Sequence, residues 1–99
     1  MNLDDPTPIR TVRLRIEGRV QGVGYRQWTQ QTALRLGLNG WVRNRRDASV
    51  EAVLSGPSMR VAEMLERCRA GPRLASAVHV TILEEGGEAS TDFEVRPTL

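Results

Sequence analysis

The segment Gly18-Arg19-Val20-Gln21-Gly22-Val23-Gly24-Tyr25-Arg26 places three glycines between an alternating apolar/polar run and an amphipathic one. Glycines let successive backbone N–H groups converge, and a helix N-terminus adds positive potential. Such a junction is suited to a phosphate-like anion, and Arg26, in the first helical turn, would add a fixed fork of donors. The same glycines would also serve a plain strand-to-helix bend, although a bend needs fewer of them. A second stretch, Gly40-Trp41-Val42-Arg43-Asn44, reads on its own as an ordinary strand ending in a turn-forming asparagine.

Several chemistries are excluded by residue type. The chain has no lysine and no G-x-x-x-x-G-K-[ST] loop, so it is not a P-loop nucleotide hydrolase. Its glycines do not match G-x-G-x-x-G, and no parallel βαβ context surrounds them. One cysteine and one histidine cannot build a Cys/His zinc site. Cys68 falls on an apolar helical stripe and reads as core rather than nucleophile. His79 falls on the polar side of its strand and reads as solvated.

The elements that must position the loop follow from periodicity. Val12, Leu14 and Ile16 alternate with Arg13, Arg15 and Glu17, a half-buried strand. A helix is expected from Val23 to Leu36, with Tyr25, Trp28, Thr32, Ala33 and Leu36 on one face and Gly37 as its C-terminal cap. Strands over 38–46 and 49–55 are joined by a polar turn and pair as a hairpin. A second helix opens at Gly56-Pro57-Ser58, buries Val61, Met64, Leu65 and Cys68, and ends at Gly71-Pro72. Strands over 77–83 and 92–96 follow. The order β-α-β-β-α-β with a short final strand implies an α+β fold. It is the ferredoxin-like sandwich, an antiparallel four- to five-stranded sheet with two helices on one face. That fold hosts many functions and decides none.

At 99 residues the chain is one domain, long enough to bury roughly two-thirds of its unfolded surface. Residues 1–9 are expected to form a flexible tail, and residues 10–99 the domain. A hydrophobic fraction of 39% and a charged fraction of 26% are ordinary for a soluble protein. All 14 basic residues are arginine, but the net charge of only +2 gives weak steering toward polyanions. The start of the chain lacks the pattern of a secretory signal, no run is long enough to span a membrane, and the lone cysteine has no internal partner. A cytoplasmic location is expected.

Gly-Arg-Val-Gln-Gly-Val-Gly-Tyr-Arg, then Gly-Leu-Asn-Gly-Trp-Val-Arg-Asn, then Asp47-Ala48-Ser49-Val50-Glu51, closely resembles the acylphosphatase family, and the likeness runs over residues 10 to 97. It implies a small ferredoxin-like enzyme that hydrolyses carboxyl-phosphate anhydrides without a metal or other cofactor. By resemblance, Arg26 matches the substrate-binding catalytic arginine and Asn44 the asparagine that holds the attacking water. Gly18, Arg19, Val20, Gln21, Gly22 and Val23 match the phosphate cradle, with Gly24 and Tyr25 completing the substrate-binding stretch. The chain departs from the family pattern at Ala48, where glycine is usual, at Gly24, where relatives often carry a larger residue, and at Tyr25, where phenylalanine is more common. Ala48 would be strained by about 1 kcal/mol if its position needs positive φ. Gly24 would loosen the loop, and the Tyr25 hydroxyl would need a partner.

The residue set suits an acyl phosphate. Its leaving carboxylate is a weak base, with a pKa near ~4, and departs without a general acid. Phosphoryl transfer asks mainly for positioning and charge stabilisation. The expected partner is a small-molecule acyl phosphate, with no nucleic acid, no membrane and a monomeric enzyme. One rival is a non-catalytic RNA- or polyanion-binding module, for which at most Trp41 and Phe93 could stack bases. Another is an accessory domain of the kind that precedes carbamoyl-handling modules in larger proteins. The end of the chain at Leu99 favours a stand-alone enzyme.

Overall fold

Val12, Leu14 and Ile16 are completely buried, and the polar residues between them line the opposite face of their strand, β1, which runs Ile9–Arg19. The computed structural model describes residues 8–99, so the expected tail lies outside the described residues over 1–7. Ile9, assigned to that tail by sequence, already belongs to β1. After β1 come α1 (Tyr25–Arg35), β2 (Asn39–Asn44), β3 (Val50–Pro57), α2 (Ser58–Ala70), β4 (Ser76–Glu85) and β5 (Phe93–Val95). Two helices pack on one face of a five-stranded sheet ordered β4-β1-β3-β2-β5. Among the described residues no helix is long and apolar enough to cross a membrane.

The sheet is mixed rather than wholly antiparallel. β1 pairs antiparallel with β3 and β4, and β2 with β3, but β5 lies parallel to β2. The cause is the return of the chain after β4. The loop crosses the end of the sheet, with the Gly86 N–H donating to Thr11 O and the Ser90 hydroxyl to Gly40 O. Having reversed direction at the far edge, the chain runs alongside β2 in the same sense.

The core draws on both helices. From α1 it takes Tyr25 and Ala33 with buried Thr29 and Thr32, while Trp28 and Leu36 pack against it half-buried. From α2 it takes the expected Val61, Met64, Leu65 and Cys68. Burial pushes the Cys68 thiol up to about 12, as befits core rather than a nucleophile. His79 is exposed, across from Glu17.

Tyr25 locks the helices together. Its hydroxyl donates to the Cys68 carbonyl at 2.6 Å. That carbonyl would ordinarily accept from the N–H four residues on, but residue 72 is proline and has none. The phenol thus satisfies a buried acceptor that α2 cannot satisfy itself, and burial raises its own pKa far above the usual phenol range. Tyr25→Phe should lower the unfolding free energy by about 1–3 kcal/mol. Urea denaturation would read this as a lower midpoint at unchanged slope, and an unmoved midpoint would contradict it.

Candidate active site

The end of β1 is shaped by a bulge at Gly18, where the pairing with β4 shifts register. Gly18 has φ 117°, and a Cβ there would lie 2.3 Å from Ala77 O. This glycine permits the close approach of two strands. Val20 then points into the core, leaving Gln21–Gly24 as the turn into α1. Gly24 takes the left-handed conformation, φ 77°, as the residue preceding the helix. A Cβ on Gly22 or Gly24 would meet nothing within 4 Å, so the loop opens outward there.

The loop is rich in unused donors. Trp28 N–H is the first in the helix to be paired, to Gly24 O at 3.0 Å. The N–H groups of Gln21 to Arg26 donate to no acceptor among the described residues. Gly24 offers no side-chain cap, and the first turn of α1 carries no acidic residue. The positive end of the helix dipole is therefore uncompensated by the protein. Arg26 is half-buried in this turn and has no carboxylate partner among the described residues. Arg19, also matched to the cradle, has an exposed side chain, and the side chain of Tyr25 is committed to the core.

Topology brings Asn44 to the same end of the sheet. β1 and β2 run in the same direction, so the loop after β1, the start of α1 and the last residue of β2 coincide at one end. Ile16, Val50 and Asn44 form one row across three strands, with Ile16 and Asn44 about 10 Å apart across the two strand spacings. Asn44 alternates in phase with buried Gly40 and Val42, on the face that carries α1. Its main-chain carbonyl accepts from Leu99 N at 3.1 Å. Its side-chain Oδ1 is buried and accepts no hydrogen bond, the single such buried side-chain atom among the described residues.

Gln21 joins the two halves. Its amide nitrogen donates to Arg45 O at 2.7 Å and to Ser49 O at 2.8 Å, the two residues that close the hairpin turn. Matched by sequence to the cradle, its side chain instead ties the loop to the residue directly after Asn44. A pocket of about 120 Å³ lies between Gly18 and the Asp47–Ser49 side of that turn.

The turn itself is tight. Arg45 N–H bonds Ser49 O at 2.8 Å, Ala48 N–H bonds Arg45 O at 3.2 Å, and Ala48 takes φ 75°. This is a three-residue hairpin loop whose last residue is left-handed. The Asp47 carboxylate accepts from Ser49 N–H and from the Ser49 hydroxyl, and these bonds together with Arg15 hold its pKa well below the usual range.

A groove of charge that sequence alternation alone would place in solvent covers the other face of the sheet. Glu51, on β3, is 4% exposed. It accepts from Arg13 at 2.7 Å, Arg43 at 2.8 Å and Arg45 at 3.2 Å. The guanidiniums of Arg43 and Arg96 each sit 4.7 Å from the centre of the Trp41 ring. Phe93 is buried.

With this geometry in hand, the likeness to known proteins is specific. The acylphosphatase family model matches residues 12–95. An acylphosphatase from Rhodopseudomonas palustris is 60% identical over 84 residues, covering 83% of this chain and 80% of that one. One from Azorhizobium caulinodans is 52% identical over 90 residues, 90% of this chain and 97% of that one. The solved structure of an acylphosphatase from Coxiella burnetii superposes with a TM-score of 0.78 at 31% identity, over 89% of this chain and 93% of that one.

Ala48 meets the condition that makes it costly, since an L-residue in the left-handed region is disfavoured by about 1–2 kcal/mol. Ala48→Gly should stabilise the protein by about 1 kcal/mol. Thermal or urea unfolding would reveal it, and a loss of stability would show that the turn does not carry this strain.

Proposed function

We propose, from the premise that this chain belongs to the acylphosphatase family and is a hydrolase of acyl phosphates, that the loop amides with Arg26 hold the phosphoryl group and that Asn44 holds the attacking water. The observation that carries this reading is the coincidence, at one end of the sheet, of unpaired N–H groups, an arginine without a carboxylate and a buried carbonyl oxygen without a donor.

Each part has a physical task. The N–H groups of Gln21–Arg26 and the α1 dipole favour a doubly charged phosphoryl group. Arg26 contributes charge-assisted bonds that strengthen as charge spreads over the equatorial oxygens in the transition state. The Asn44 Oδ1 accepts a hydrogen bond from water and aims its lone pair in line with the leaving carboxylate, which restrains the geometry of attack. The phosphorus–oxygen bond to that carboxylate breaks as the bond to water forms, and carboxylate and inorganic phosphate are released. No group needs to titrate near neutrality, because the leaving group departs as a weak base. Phosphate monoesters, with worse leaving groups, react far more slowly at such a site.

The same reading takes the enzyme as a monomer acting on small acyl phosphates in the cytoplasm, without a metal and without nucleic acid. The chain's single cysteine and single histidine, too few for a Cys/His zinc site, support it. So do the two candidate stacking rings: Trp41 lies under two guanidiniums and Phe93 is buried.

Steady-state hydrolysis of acetyl phosphate tests the roles. Arg26→Ala should lower kcat/KM by at least about 10²- to 10³-fold. Asn44→Ala should lower kcat on the order of 10²-fold and leave KM within a few-fold, since water is placed only for the chemical step. Wild-type turnover in Arg26→Ala would sink the assignment. Activity should persist in EDTA, and its loss there would overturn the metal-free mechanism.

A further inference from the structure

Glu51 is a buried carboxylate that the mechanism does not use. It stands directly across the ladder from Arg43 and reaches Arg45 as well, so one carboxylate grips the residues on both sides of Asn44. We infer that Glu51 is a positioning residue for Asn44: by clamping Arg43 and Arg45 from β3, it fixes the end of β2 so that the Asn44 amide is held where water must sit. This inference rests on the role proposed for Asn44.

Three features make the clamp stiff. Glu51 is on β3, the central strand of the sheet, flanked by β1 and β2, so its own backbone is held on both sides. Its carboxylate is nearly out of solvent, at 5% side-chain exposure, where charge-assisted bonds are strong and a missing partner is costly. Arg43 is the best buried of the three partners, at 19%, and is further confined over the Trp41 ring. Burial raises the Glu51 pKa, but the bonds from Arg43 and Arg13 outweigh it and leave the group ionised well below neutrality. The third partner, Arg13, reaches Glu51 from β1 and has no part in the hairpin that carries Asn44. The carbonyl of Arg45, held by Gln21, continues the same line toward the glycine loop.

The experiment is a double-mutant cycle on the full chain with acetyl phosphate as substrate and inorganic phosphate as inhibitor. Glu51→Gln should lower kcat about tenfold, with KM and phosphate inhibition within about twofold, because the amide drifts while the phosphate cradle stays. In an Asn44→Ala background, Glu51→Gln should lower kcat no further, as coupled residues do. Arg43→Gln should reproduce the kcat loss and serves if Glu51→Gln does not fold, whereas Arg13→Gln should keep wild-type kcat. Wild-type kcat in folded Glu51→Gln, or the same tenfold loss added on top of Asn44→Ala, would overturn the inference while leaving Asn44 as the water holder. Wild-type kcat in Asn44→Ala alone would overturn the water-holding reading and this inference with it.

Discussion

Two hydrogen bonds from one side-chain amide hold the site together. Gln21 Nε2 bonds the carbonyls of Arg45 and Ser49, which lie 24 and 28 residues away in sequence. Those carbonyls close the hairpin turn, and Arg45 directly follows Asn44. The pairing of β1 and β2 with β3 already sets the glycine loop beside the hairpin, and the amide adds a direct bond between them. The amide thus ties the loop to the residue that follows Asn44, at the end of the sheet where the two meet. The amide can do so because both partners are main-chain carbonyls, whose positions the sheet already dictates.

The charges of the protein are distributed in keeping with this. On the open face of the sheet the arginines are spent on carboxylates: Arg13 and Arg43 on Glu51, Arg15 on Asp47. Arg26 stands apart on the helix side without such a partner, beside N–H groups that are equally unpaired. An unpaired, half-buried cation next to a helix N-terminus is electrostatically costly unless an anion arrives. Arg19, Arg35, Arg46 and Arg73 also lack a carboxylate but are exposed, so Arg26 is the one arginine among the described residues that is both unpaired and half-buried. That is the pattern expected of a binding site for a phosphoryl group.

Much of this was readable from residue order. Alternation over 12–17 and the stripe Val61, Met64, Leu65, Cys68 gave β1 and α2, because each buries only one face. The glycines and Arg26 read as a candidate anion cradle because such use depends on local backbone geometry. Asn44 was not, on residue type alone: its distinction is an unpaired buried oxygen, which arises only when β2, β3 and the C-terminal residues assemble around it. Resemblance to a family supplied that residue before the structure did. Glu51 was hidden for the opposite reason. Period-two alternation assigns it to solvent, and it is buried by arginines contributed from β1, β2 and the hairpin turn. The parallel pairing of β5 was hidden as well, since nothing in Phe93–Val95 says which edge it will join. Gly18, Val20 and Gln21 fell within the matched motif, yet their side chains or lack of one serve strand approach, core and tether.

The central claim is that the free amides between β1 and α1, acting with Arg26, are the phosphoryl-binding surface. An amide-resolved NMR titration with inorganic phosphate tests it most directly. The backbone N–H signals of Gln21 to Arg26 should move together and saturate with one dissociation constant, and the movement should be lost in Arg26→Ala while the rest of the spectrum stays native. Phosphate-dependent shifts centred elsewhere, or an unchanged titration in Arg26→Ala, would contradict it.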